Sequence, residues 1–132
     1  MVTPLDILAP DGTLIIVSDC AEGMGSTEFR ASQGRLVELG PDRFLETILA
    51  KQFADVDEWQ TEMQLKPMRV GHVQLFSTGL PAADYGLTGV EMLPNTPDAV
   101  ARAVSASIAK HGDAAVAAIP EGPYVIPFSR AA

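Results

Sequence analysis

Disulfide chemistry is closed to this chain, because its 132 residues include a single cysteine, Cys20, and no internal bridge can form. The opening Met1-Val2-Thr3-Pro4 is not a basic segment followed by an apolar run, so no secretory leader is read there, and a reducing, cytoplasmic setting is expected. Basic charge is scarce: 9 Lys and Arg face 17 Asp and Glu, for a net charge of −8. The resulting pI near 4.5 repels phosphate backbones and anionic bilayers, which excludes nucleic acid as an expected partner. Charged or turn residues break every apolar run before it reaches a membrane-spanning length, so no membrane partner is expected either. Repeats, low-complexity stretches and linkers are absent, and the histidines and cysteine do not have zinc-site spacing. What is present, 47% hydrophobic and 20% charged residues, suits one globular domain over residues 1–132.

The chain has an α/β rhythm. Asp11-Gly12 is a turn signal, and Thr13-Leu14-Ile15-Ile16-Val17 is the continuous apolar, β-branched run of a strand covered on both faces. Phe29, Leu36 and Val37 could line one face of a helix that Gly34 weakens and Gly40 ends. Pro41 then sits at a favoured first helical position, with Phe44, Leu45, Ile48 and Leu49 at helical spacing to about Phe53. Asp55-Val56-Asp57 offers a cap for a segment carrying Trp59, Met63 and Leu65, which Pro67 is expected to stop or kink. Val70-Gly71-His72-Val73-Gln74-Leu75-Phe76 reads as a buried strand, and Val90-Glu91-Met92-Leu93 as a short extended piece. The clearest helix has Thr96 as cap, Pro97 at its first position, Val100, Val104 and Ile108 four apart, and Lys110-His111-Gly112 at its close. Residues 114–119 are expected to be a final strand. Strands alternating with helices predict an α/β, three-layer sandwich with a mainly parallel, Rossmann-like sheet.

Ligands of such sheets sit beyond the carboxyl ends of the strands, which singles out the loops at 18–26, 77–80 and 120–124. Gly23, Gly25 and Ser26 precede a helix whose free amides could face an anion. There is no full dinucleotide fingerprint and no P-loop lysine, and Asp19 and Glu22 put negative charge where a phosphate would lie, so a tight turn is the simpler reading. Cys20 has no histidine near it in sequence and reads as a small buried thiol. His72, in a strand, and His111, in the last turn of a helix, read as structural. Asp55 with Asp57 suits capping, and Glu58 with Glu62 a solvated helix face. Trp59, the only tryptophan, is either a core anchor or a ring presented at a cleft.

Several motifs taken in order carry a resemblance: Gly12-Thr13-Leu14-Ile15-Ile16-Val17, Glu22-Gly23-Met24-Gly25 with Glu28-Phe29, Asp57-Glu58-Trp59, His72-Val73-Gln74-Leu75-Phe76-Ser77, and Ile119-Pro120-Glu121-Gly122-Pro123-Tyr124-Val125. Together they resemble, nearly end to end, the C-terminal domain of the nickel-pincer lactate racemases. The resemblance implies a domain that closes over a nickel-pincer nucleotide, derived from nicotinic acid and tethered to a lysine. In the complete proteins of that family, 2-hydroxy acid stereoisomers interconvert by removal and return of a hydride, with two histidines as acid and base. Those histidines, the lysine and the nickel-ligating histidine belong to the family's N-terminal domain, which this chain is expected to lack. Residues 1–10 would correspond to the end of a helix in the longer proteins, so a piece of a longer protein or a shortened gene product is expected.

The resemblance places Trp59 beside cofactor and substrate as a packing and water-excluding group, and Gly23, Gly25 and Ser26 on a loop near the interdomain cleft. It implies no catalytic residue and no cofactor bound by this chain alone, and an isolated chain that is inactive. The partners it implies are the N-terminal cofactor-binding domain of a racemase-like protein and a small 2-hydroxy acid. Two other readings stand beside it: a small α/β module binding an anion or nucleotide at the glycine loop, and an oligomerisation domain giving a homo-oligomer through exposed apolar surface.

Overall fold

The computed structural model describes residues 3–112 and 115–128, and shows a mixed α/β fold built on a three-stranded parallel sheet. A 3-10 turn at Thr3–Ile7 leads into β1 (Thr13–Val17), and the helices α1 (Thr27–Leu39), α2 (Pro41–Leu49) and α3 (Glu58–Val70) separate β1 from β2 (His72–Phe76). A second 3-10 turn, Ala82–Leu87, precedes β3 (Glu91–Met92), and α4 (Ala99–His111) follows. The strand order is β1-β2-β3, with Thr13 opposite His72, Val17 opposite Phe76, and Gln74 opposite Glu91. Among the described residues no helix is long and apolar enough to cross a membrane.

Local chemistry explains most of these boundaries. Ser26 caps α1 by accepting from the Phe29 amide at 3.0 Å, and Gly40, at φ 77°, ends α1 and lets Pro41 open α2 at once. Gly112, also left-handed, closes α4 by donating to the Ile108 carbonyl. The pleat alternates side chains, so Thr13 and Ile15 share a face with Gln74 and Phe76. That face meets α4: Ile15 and Phe76 pack on Leu93, Ala99 and Ala103, and Ser107 Oγ donates to Thr13 Oγ1 at 3.0 Å. A second core lies among the helices, where Leu36, Phe44 and Leu65 are buried together with Leu39, Leu45 and Ile48 against them. Burying each large side chain there contributes about 1.5–3 kcal/mol, which makes this cluster the main anchor of α1, α2 and α3.

The structure corrects several expectations. Helix α3 runs through Pro67 to Val70; the ring is buried, and a proline costs the helix one N–H bond and some crowding that tertiary packing absorbs here. Helix α2 stops at Leu49, leaving Phe53 at 84% exposure, and Val37 faces solvent rather than the core. Helix α4 begins at Ala99, because Thr96 and Asp98 close a turn ahead of it in which the Ala99 amide donates to the Thr96 carbonyl. The final strand expected at 114–119 is not formed: Ala114 lies outside the described residues, and 115–119 carries no regular secondary structure. Within 122–124 the chain makes a 3-10 turn, Gly122–Tyr124.

Candidate functional site

The loops that leave the carboxyl ends of β1 and β2 are fastened to each other through Asp19. Its backbone carbonyl accepts from Ser77 Oγ at 2.7 Å and from the Gly79 amide at 2.8 Å, while its Oδ1 accepts from Thr78 Oγ1 at 2.7 Å. Gly79 is required by this approach, since a Cβ there would lie 2.5 Å from the Asp19 oxygen. Beyond Asp19 the loop turns on left-handed residues: Cys20 at φ 53°, Gly23 at 65° and Gly25 at 76°, with the Gly23 amide donating to the Cys20 carbonyl. Met24 is buried beneath this turn.

The loop ends at Ser26, which has two jobs. Its oxygen caps α1, and its hydroxyl donates to Asp57 Oδ2 at 2.5 Å. Asp57 sits left-handed at φ 60° ahead of α3, and its other oxygen accepts from Gln60 Nε2 at 3.0 Å. The glycine loop is thereby joined to the start of α3, one residue from Glu58 and two from Trp59. Of the residues singled out from sequence, Gly23, Gly25, Ser26 and Trp59 thus converge on one end of the sheet. Trp59 is 60% exposed, which argues against the core-anchor reading.

Glu58 was expected on a solvated face, yet it is 1% exposed. Burial pushes its carboxyl upward, but hydrogen bonds from Lys51, the Asp55 amide and the Arg35 guanidinium outweigh this and hold it below its ordinary value. Lys51 Nζ stands 2.7 Å from Glu58 Oε1 and 2.6 Å from Asp55 Oδ2, and is raised by Asp55 first and Glu58 second. Arg35 also lies over the Phe44 ring, 5.6 Å from its centre. Neither Asp55 nor Asp57 caps a helix through its side chain; one serves the ion cluster and the other holds Ser26. Further along the helices, Gln33 donates to Gln64, Gln64 donates to the Thr88 carbonyl, and Arg30 pairs with Asp84 at 2.7 Å. Sequence reasoning named Asp57, Glu58, Asp19 and the loop of Thr78 but missed the contacts they make. The Asp57-Glu58-Trp59 run was visible, but no local pattern shows that its three side chains go to three different surroundings.

The arrangement limits the chemistry. Cys20 follows β1 at the carboxyl end, whereas His72 opens β2 and His111 ends α4 at the opposite end, so no thiol and imidazole are brought together. Among the described residues no group of three or more His, Cys, Asp or Glu side chains is placed to hold a metal ion. A nickel site does not fit the described residues. The Asp57 carboxylate beside Ser26 adds negative charge to a loop that already carries Asp19 and Glu22, which disfavours an anion at the glycine amides. What the site offers is a hydroxyl–carboxylate pair and an exposed indole on a firmly held base. No family model, curated protein or solved structure matches this chain.

Proposed function

We propose that the chain is a lid and substrate-facing domain whose carboxyl end closes over a reaction centre carried by a separate N-terminal cofactor domain, as the resemblance to nickel-pincer 2-hydroxy acid racemases implies. The observation that carries this reading is Trp59: a large apolar ring held out to solvent at the end of the sheet where ligands of parallel sheets sit. The turn beneath it is tied by Ser26 to Asp57 and by Glu58 to Lys51 and Arg35, so the ring is presented without the backbone having to be ordered on closure. Docking removes that ring from water and excludes water from the centre it covers, the work expected of a lid. The nickel-pincer nucleotide and its hydride chemistry belong, on this reading, to the other domain. The finer fold that goes with it is a three-layer, Rossmann-like arrangement, α1–α3 on one face of the sheet and α4 on the other, supported by the contacts of α3 with β2 and of α4 with β1. A cytoplasmic setting belongs to the same proposal.

The test is to mix the purified chain with a nickel-loaded, separately expressed N-terminal domain of a related racemase and follow interconversion of a panel of 2-hydroxy acids. Activity only in the mixture, lost with Trp59→Ala, supports the lid. No complex and no activity removes it. A second reading has its own observation: Leu49, Phe53, Val56 and Trp59 are all 60% or more exposed over one short stretch, which suits a homo-oligomer contact. Sedimentation of the chain alone separates the two, because the lid reading requires a monomer in the absence of its partner domain.

A further inference from the structure

The connection between α2 and α3 turns its apolar side chains to water. Leu49, Phe53, Val56 and Trp59 are all 60% or more exposed, while Glu58 among them is buried, the reverse of the arrangement that solvent alone would favour. They do not sit on a loose loop. Its two ends are bound together at the base: Lys51 Nζ reaches Glu58 Oε1 at 2.7 Å, the Asp55 amide donates to Glu58 Oε2 at 3.1 Å, and the Glu58 amide donates to the Asp55 carbonyl at 3.2 Å. The four apolar groups therefore leave one closed turn of chain together, as a ridge that a single partner surface can cover.

The charges around the ridge indicate what that surface is. Residues 46–62 carry Glu46, Asp55, Asp57, Glu58 and Glu62 against Lys51 alone. Lys51 is taken by Glu58 and Asp55, and Arg35, reaching in from α1, pairs with the same two carboxylates. Asp57 accepts from the neutral donors Ser26 and Gln60, and among the described residues no cation pairs with Glu46, Asp57 or Glu62. The ridge thus has an apolar crest and a rim of uncompensated negative charge. Its indole points the same way, because tryptophan offers cations the most favourable aromatic face, and Asp57 stands two residues from it. A second copy would set this rim against its own like charges, and an anionic bilayer would repel it.

We propose that the ridge formed by Leu49, Phe53, Val56 and Trp59 docks a protein segment of opposite design, an amphipathic helix whose apolar stripe is flanked by Lys or Arg. The stripe covers Phe53 and Val56, the flanking cations meet Glu46, Asp57 and Glu62, and one of them lies over the Trp59 ring. Rim attraction speeds encounter and weakens with salt, whereas the crest supplies most of the affinity. The proposal goes beyond the lid reading: it names the chemistry of the surface that meets this side of the molecule, requires no cofactor there, and is tested without an activity assay, so either can fail without the other.

Trp59 is the only tryptophan, so its fluorescence reports directly on whether the ridge is covered. The probe is a synthetic helix of Leu and Lys with its leucines at i, i+3, i+4 and i+7, and the control is the same peptide with Glu in place of Lys. The expected result is a saturating blue shift with the Lys peptide and none with the Glu peptide. Phe53→Ser combined with Val56→Ser keeps every charge and should raise Kd about tenfold or more, while Glu46→Gln combined with Glu62→Gln should weaken binding and flatten its salt dependence. Should the first pair lose helical circular dichroism, Phe53→Ser alone, at a residue 84% exposed, decides. No shift with the Lys peptide, an equal shift with the Glu peptide, or an unchanged Kd in the apolar variant overturns the proposal, the last because only attraction between net charges is then left. A shift that grows with protein concentration in the absence of peptide assigns the ridge to a second copy, one produced by vesicles of phosphatidylserine and phosphatidylcholine assigns it to a membrane, and either overturns the basic partner.

Discussion

Glu58 and Trp59 are consecutive in the chain and opposite in environment, the first 1% exposed and the second 60%. A helix turns about 100° per residue, so the first turn of α3 can point a carboxylate into the protein and an indole out of it within a single step. The buried side is saturated with partners: Lys51, Arg35 and the Asp55 amide all reach Glu58. The exposed side has the Ser26–Asp57 pair, with Gln60 donating to Asp57, and an apolar ring facing water. The comparison teaches that the candidate site is held by chemistry beneath it, and that a residue's neighbour in sequence says little about its task.

The largest expected effect breaks the buried side. Glu58→Ala removes one of the two carboxylates that Arg35 and Lys51 share and leaves Asp55 as their remaining partner, at a cost of about 1–3 kcal/mol, read as a lowered midpoint in urea unfolding. Acid attacks the same group. Because the folded-state pKa of Glu58 lies below 4.5, its contribution is complete above that value and is lost as pH falls through the lowered one. Lys51 is raised above 10.5, so its share is complete below that value and lost on the alkaline side. Asp84, lowered from 3.8, adds to the acid loss. The melting temperature is expected to fall on both flanks, and Glu58→Gln should make the acid flank shallower; an unchanged acid flank would remove Glu58 from its cause.

The middle effect tests the link between the two sides. Ser26→Ala takes away the cap of α1 and the partner of Asp57 together, with an expected loss of about 1 kcal/mol, the usual size for an N-cap. Asp57→Asn should cost less, since an amide oxygen still accepts from the Ser26 hydroxyl. If Asp57→Asn equals Ser26→Ala, the hydroxyl–carboxylate pair rather than the cap is what holds the glycine loop.

Much of the scaffold was legible in sequence because its signals are local. The β-branched run at Thr13–Val17, Pro41 after Gly40, and Gly112 after Lys110-His111 each act on their own backbone, and each structure boundary follows them closely. What was hidden depends on distant residues. Pro67 does not end α3 because packing holds the helix across it, and Glu58 is buried because Arg35 and Lys51 arrive from other elements. Residues 114–119 read as a strand from their apolar character, but 115–119 carry no regular secondary structure, because pairing depends on distant residues that no local pattern records. Of the candidate site, the glycine loop and Trp59 were visible as residues, while the Ser26–Asp57 contact that unites them spans 31 positions and was not.

The smallest expected effect on the fold is the most informative about function. Trp59→Ala deletes a ring that is already 60% exposed, so unfolding free energy should move by less than about 0.5 kcal/mol, within the range of ordinary surface changes. On the proposed lid reading, the ring covers a partner's centre and matters only when that partner is present. Urea unfolding of the isolated chain and activity of the mixture with a cofactor domain should therefore respond oppositely to this one substitution, the first nearly unchanged and the second largely abolished. A loss of 2 kcal/mol or more in the isolated chain, roughly the scale of a buried aromatic truncation, would make Trp59 part of the fold's own core and remove the observation on which the lid proposal stands.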